Sequence, residues 1–191
     1  MKRSVLTLLL TLSSALALAA DKVPAHPHIE MVTSVGTIKL ELDGKQAPLT
    51  VAHILKLVDS GFYDGTVFHR VIPGFMAQGG GYTPGLKLKK TDETIPNESG
   101  NGLTNLRGTI AMARTDDPHS ANAQFFINVV DNLQLDPTPD RWGYAVFGNV
   151  IEGMNVVDAM VSIPTGRNGP FSRDVPVAPI EIRKIARFQY E

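Results

Sequence analysis

The amino-acid sequence predicts a mainly β fold, with one sheet closed on itself or two sheets packed face to face. Three observations lead there. Apolar, β-branched and aromatic residues gather in many short runs separated by Gly, Pro, Asn and Asp, the spacing of a barrel or a sandwich. Only two stretches carry a helical pattern. After the first twenty residues, no apolar run reaches the length needed to span a bilayer. Closing the sheet would remove exposed strand edges. The pattern alone leaves barrel and sandwich both open.

The elements follow in chain order. Lys2 and Arg3 precede an apolar run from Val5 to Leu18, and Ala17, Ala19 and Ala20 supply small residues for a cleavage site. This is the layout of a removable secretory signal over 1–19. Residues 20–27 are polar and proline-containing, so a loose mature terminus is expected. A domain from 28 to 191 then begins. Ile29 and Met31 start an alternation, Ser34–Gly36 can turn, and Ile38–Leu42 alternates apolar with charged residues. Val51, Ile54, Leu55 and Val58 form one helical stripe, with Pro48 near its start and Gly61 past its end. A second short helix is expected from Met154 to Val161. Further β-type runs are Val67–Ile72, Thr109–Ala113, Phe125–Val130, Tyr144–Val150 and Ile180–Phe188. In the last of these Ile185 and Phe188 break the alternation, which a bulge would repair. The stretch Gly80–Arg107 is expected to be mostly loop.

Composition narrows the chemistry. Without the signal the chain would hold roughly 170 residues, enough for one domain with a core. Of 18 basic and 19 acidic residues the signal takes two basic ones, leaving an acidic balance. Nucleic-acid binders carry a basic excess, so that class is disfavoured. The sequence has no Cys, which excludes disulfides, thiol nucleophiles and thiolate metal sites. No Gly-x-Ser-x-Gly, no His-Glu-x-x-His and no phosphate-loop ending after Gly79–Gly81 is present. His26 and His28 flank Pro27, and adventitious metal binding is the most that they offer. His69, His53 and His119 read as structural or exposed. The three glycines read as tight backbone, a bulge or a close approach.

The densest signal runs from Phe68 to Gly81. Arg70 stands there among Phe68, Val71, Ile72, Phe75 and Met76, followed by Gln78. On residue type alone such an arginine is a surface residue or an ion-pair partner. In company with apolar neighbours and amides, it also suits rotation about an X–Pro bond. That bond resists rotation by about 18–20 kcal/mol because nitrogen conjugates with the carbonyl. Uncatalysed exchange takes tens to hundreds of seconds. A donor aimed at the prolyl nitrogen keeps its lone pair out of conjugation, and arginine offers several donors in a rigid, always charged fork. An acceleration of 10⁵ requires only about 7 kcal/mol.

Phe68–Gly80 resembles the signature of the cyclophilins. Gly108–Arg114 with Ala123–Ile127, and Leu135-Asp136 with Tyr144–Gly148, match further segments of that family in order. The resemblance covers Ile29 to Phe188. It implies a closed eight-stranded antiparallel β-barrel capped by two α-helices, with the active groove outside. It implies peptidyl-prolyl cis–trans isomerase activity with no cofactor and no metal. Arg70 would be the catalytic guanidinium, and Gln78 and Gln124 would orient the substrate. Phe75, Met76, Phe126 and Leu135 would line the proline pocket, with Ala113 and the Arg114 backbone against the preceding residues. Gln134 and Tyr144 stand at the rim where many eukaryotic members carry Trp and His, so only weak cyclosporin binding is expected. The loop Pro137–Arg141 departs from the shorter family version and is followed by Trp142. The combination is similar to periplasmic cyclophilins of Gram-negative bacteria. It implies action on proline-containing unfolded or flexible polypeptides. A monomer is the default for a compact domain without an obvious interface stripe, the acidic balance speaks against a nucleic-acid partner, and no membrane contact is expected after signal cleavage. Two other readings stand beside it. One is a proline-peptide-binding chaperone with little catalysis, which would have less need of Arg70. The other is a small-ligand barrel carrier, which would use a lumen rather than an outer groove.

Overall fold

A computed structural model describes residues 23–91 and 93–190. The signal expected at 1–19, and residues 20–22 of the terminus, lie outside them. The elements run β1 (His28–Thr33), β2 (Gly36–Leu42), α1 (Pro48–Asp59), β3 (Thr66–Ile72), β4 (Met76–Tyr82), β5 (Thr109–Met112), β6 (Phe125–Asn128), β7 (Val146–Glu152), α2 (Met154–Val161), β8 (Thr165–Asn168), β9 (Phe171–Pro176) and β10 (Ile180–Phe188). Eight strands close into an antiparallel barrel in the order β1-β10-β3-β4-β6-β5-β7-β2, and β8–β9 is a separate hairpin. Barrel, not sandwich, is the outcome.

Alternation along the strands sorts side chains between two clusters. Ile38, Leu40 and Leu42 of β2, Ala77 of β4, Ile110 and Met112 of β5, Phe125 and Ile127 of β6, and Phe147 of β7 belong to the main core. Their neighbours Met76, Ala111, Phe126 and Val146 form a second cluster. The interior is therefore packed side chain, not a channel. Val51, Ile54, Leu55 and Val58 of α1 join the main core, as do Val157, Met160 and Val161 of α2. The helical stripes are what tie both helices to the barrel.

Local chemistry sets the ends of these elements. Pro48 opens α1, where its missing N–H costs nothing. No side chain of α1 caps it. Glu98 does so from the long loop, its carboxylate accepting from the Leu49 N–H at 3.1 Å, the Thr50 N–H at 2.7 Å and the Thr50 hydroxyl at 2.7 Å. An anion at a helix N-terminus is favourable, and here it also pins the loop. Gly153 precedes α2 with φ +88°, and a Cβ on it would stand 2.3 Å from the Thr37 oxygen. Only glycine fits there.

Two irregularities correct the plain strand pattern. In β10, Val32 of β1 faces Lys184 while Thr33 faces Ile182, so Arg183 is the extra residue. That bulge lets Ile180, Ile182 and Ile185 all be buried. In β3, Phe68 faces Gly79 and Arg70 faces Gln78, leaving His69 unpaired. Strict alternation would put Arg70 on the same face as Phe68, inside the barrel. The bulge instead keeps Phe68 and Val71 in the core and turns Arg70 out beside Ile72, which packs on the second cluster.

Residues 23–27, read from sequence as part of a loose terminus, carry contacts. The Gly44 N–H donates to the Ala25 oxygen at 2.9 Å and the Leu42 N–H to the Pro27 oxygen at 2.8 Å. Val23 packs against the main core.

Candidate active site

The second cluster is the floor of a hollow on the outside of the barrel. Arg70, Phe75, Met76, Gln78, Ala113, Arg114, Phe126, Leu135 and Tyr144 line it, and its volume is ≈ 160 Å³. A cavity of about 150 Å³ takes one benzene ring, so the hollow is sized for a single small ring. Met76 and Phe126 are buried at its base. Tyr144 meets Phe126 edge-on, with ring centroids 5.6 Å apart at 78°. Gln124 stands one step away, its Oε1 accepting from the Gln78 amide at 3.2 Å. Gln134 does not reach the lining. It is exposed on the short 3₁₀ turn Leu133–Leu135, and its amide donates to Asn132 Oδ1 at 3.1 Å.

Glycine clears room for the amides. A Cβ on Gly81 would lie 2.3 Å from Gln124 Cγ, and one on Gly80 would lie 2.7 Å from the Phe125 ring. Gly80 also has φ +85°. Gly80 and Gly81 thus clear side chains of β6 and its entry, Gly79 clears Phe68 of β3 at 3.0 Å, and the extra residues let β4 follow β3 past its bulge.

Arg114 shapes the far wall. Its guanidinium lies over the Tyr144 ring at 4.6 Å and donates to the oxygens of Gly143 at 3.3 Å, Thr115 at 2.8 Å and Trp142 at 3.0 Å. Trp142 itself is 46% exposed and lines a neighbouring depression with Gly100 and residues 137–141. It does not supply a ring to the hollow.

Beneath the apolar end lies a network of amides that sequence reasoning missed. Asn132 Nδ2 donates to the Phe75 oxygen at 2.9 Å and to Asn128 Oδ1 at 2.8 Å. Asn128 in turn donates to Asn105 Oδ1 at 3.2 Å. Asn105 donates to Asp136 Oδ1 at 2.9 Å and to the Tyr144 oxygen at 3.3 Å. The three asparagines are 0–2% exposed. They connect the Phe75 side of the hollow to its Leu135–Tyr144 side. The available signal was Asn128 interrupting the apolar run Phe125–Val130, since buried polar groups are there to be bonded.

At the other end stands the cation. Arg70 Nη1 donates to Gln78 Oε1 at 3.4 Å, and Nε lies 3.6 Å from Asp174 Oδ2. His69 is buried between Tyr82, at 4.5 Å between ring centroids, and Phe171, at 5.3 Å. Burial pushes its pKa from 6.5 down to about 4, with the Val67 backbone opposing the drop and the Arg70 charge adding to it. It is neutral at physiological pH and structural, as expected. Successive residues of a regular strand face opposite ways, but the bulge sends both His69 and Arg70 toward the β8–β9 hairpin.

The arrangement can grip one apolar ring and present a cation and an amide to an atom at its edge. Comparison with known proteins gives the family. Residues 28–186 match the family described as cyclophilin type peptidyl-prolyl cis-trans isomerase/CLD. Peptidyl-prolyl cis-trans isomerase A of Dickeya dadantii is 47% identical over 184 residues, covering 96% of each chain. A peptidyl-prolyl cis-trans isomerase of Streptomyces antibioticus is 55% identical over 157 residues, 81% of this chain and 94% of its own. A cyclophilin-type isomerase of Cryptosporidium parvum, crystallised in the presence of the dipeptide Ala-Pro, superposes with a TM-score of 0.69. That match has 26% identity and covers 85% of this chain and 99% of the other. The chain belongs to the cyclophilin-type family. It is a peptidyl-prolyl cis–trans isomerase.

Proposed function

We propose that isomerisation takes place in the outer hollow, with Arg70 as the catalytic cation. The observation that carries this is the pairing of a ring-sized hollow, apolar at its floor, with a guanidinium at its edge. The proline ring sits on Met76 and Phe126 between Phe75, Leu135 and Tyr144. Ala113 and the Arg114 backbone take the residues before proline. Arg70 donates to the prolyl nitrogen as the amide twists, and Gln78, held by Gln124, binds the carbonyl side. These donors strengthen as conjugation is lost, so they act in the transition state rather than on the planar substrate. The Ala-Pro dipeptide used with the Cryptosporidium protein supports the reading.

The clients under this proposal are flexible proline-containing polypeptides, met in the periplasm after removal of residues 1–19. N-terminal sequencing of the exported product should begin at Ala20; a product beginning at Met1 would contradict this. Gln134 turns its amide toward Asn132 and offers no flat ring, so cyclosporin binds weakly.

NMR exchange on an Ala-Pro peptide tests the site. Arg70→Ala should lower kcat/KM by about 10²–10³-fold, the scale of losing one transition-state donor. An unchanged rate would remove Arg70 from the mechanism.

A further inference from the structure

We propose that Asp174 is a positioning residue for Arg70, fixing the plane of its guanidinium through the Nε edge. The proposal rests on the site assignment above and extends it to a residue on a different piece of the fold. Asp174 lies in β9, in the hairpin outside the barrel. The hairpin is seated on β3 and β4 by Phe171, whose ring meets His69 at 5.3 Å and Tyr82 at 5.0 Å between centroids. That seat brings Asp174 Oδ2 within 3.6 Å of Arg70 Nε. Gln78 faces Nη1 from the other side. Nη2 has no protein partner among the described residues, which leaves its donors for a substrate.

The backbone gives a second, independent observation. Asp174 has φ +66°, and among the described residues only Leu86 is the other non-glycine with positive φ. L-residues avoid this region, Asp and Asn least. Strain of this kind persists where the surroundings hold it and gathers at working sites. Stability does not account for it. Arg70 is 35% and Asp174 20% exposed, and a partly exposed ion pair contributes little. A single-edge contact at this distance also differs from a bidentate clamp, which would occupy the donors that the substrate needs. Arg173 Nε stands 3.5 Å from the same oxygen, but its side chain is 81% exposed, so it competes weakly for the carboxylate.

The test compares Asp174→Asn with Asp174→Gly. Both residues accept φ +66°, so the backbone is served equally. Asn keeps an acceptor oxygen and Gly has none. On the Ala-Pro peptide, Asp174→Asn should stay within about 3-fold of wild type. Asp174→Gly should lose about 10-fold, in kcat rather than KM, as expected when a donor is misplaced while the ring pocket stays intact. Arg173→Ala should match wild type. The Arg70 Nε–H resonance gives a readout independent of turnover. It should move to the free-arginine position in Asp174→Gly and only part of the way in Asp174→Asn. Equal activity in the Asn and Gly variants, or an Arg70 resonance that ignores both, would overturn the proposal. An unchanged rate in Arg70→Ala would overturn the site assignment instead, and the resonance would still decide whether Asp174 holds Arg70.

Discussion

The two ends of the hollow are held in different ways. Under the ring pocket, Asn105, Asn128 and Asn132 are almost wholly buried and bonded to one another and to the backbone of both walls. At the cation end Arg70 is about one-third exposed, and its contacts are 3.4 Å and 3.6 Å long. The difference matches what each end must do under the proposed mechanism. A proline ring keeps its shape through rotation, so its pocket is best formed beforehand. The prolyl nitrogen changes its lone-pair direction, so its donor needs a short distance left to travel. Contacts that are long in a free enzyme commonly tighten on the way to the transition state.

Three experiments press on this contrast, beginning with the largest effect. The buried support of the cation end is His69 beneath the hairpin. Its folded pKa lies below the unfolded value, so the unfolded chain takes up the proton first. The stability it contributes is whole above pH 6.5 and is lost as pH falls toward about 4. Over that window the loss from this group should be about 3 kcal/mol. Denaturant melts at pH 7 and pH 4 should show a smaller acid loss for His69→Phe. The same acid loss in both proteins would place the acid-sensitive group elsewhere.

At the apolar end, Asn132→Ala orphans Asn128 Oδ1 and leaves the Phe75 oxygen with the Val129 N–H alone, and should cost about 2 kcal/mol of stability. Its KM should rise while kcat changes little. Arg70→Ala should stay within about 0.5 kcal/mol of wild type. If calorimetry finds the two variants equally unstable, the contrast between the ends fails. The smallest effect concerns the rim. Gln134→Trp should tighten cyclosporin by about 10-fold, close to 1.4 kcal/mol; titration calorimetry showing no gain would mean that the exposed turn cannot bring a ring to the pocket.

Legibility from sequence followed the same division. The stripes of α1 and α2, the alternation of β2 and the broken alternation of β10 are periodic, and period is what a sequence displays most openly. Nine of the site residues expected by resemblance line one hollow. Gln134 does not, because the turn that carries it points its amide at Asn132. β4 was hidden by its own glycines, which are poor strand formers but which the close approach of Gln124 and Phe125 demands. The β8–β9 hairpin was hidden because it is polar, proline-bearing and largely exposed. Asp174 could not be read at all. Its role depends on a left-handed backbone and on Phe171 docking against His69, and neither leaves a pattern in the chain.

The seam of the barrel has a bearing on biogenesis. His28 at the start of β1 faces Phe188 at the end of β10, and β10 is also the neighbour of β3. Until β10 emerges from the ribosome, β1 and β3 each present an open edge that invites pairing with another chain. Barrel closure therefore waits for β10, a long-range pairing of the slow kind. An enzyme that hastens rotation about X–Pro bonds must first wait for the strand that closes its own barrel.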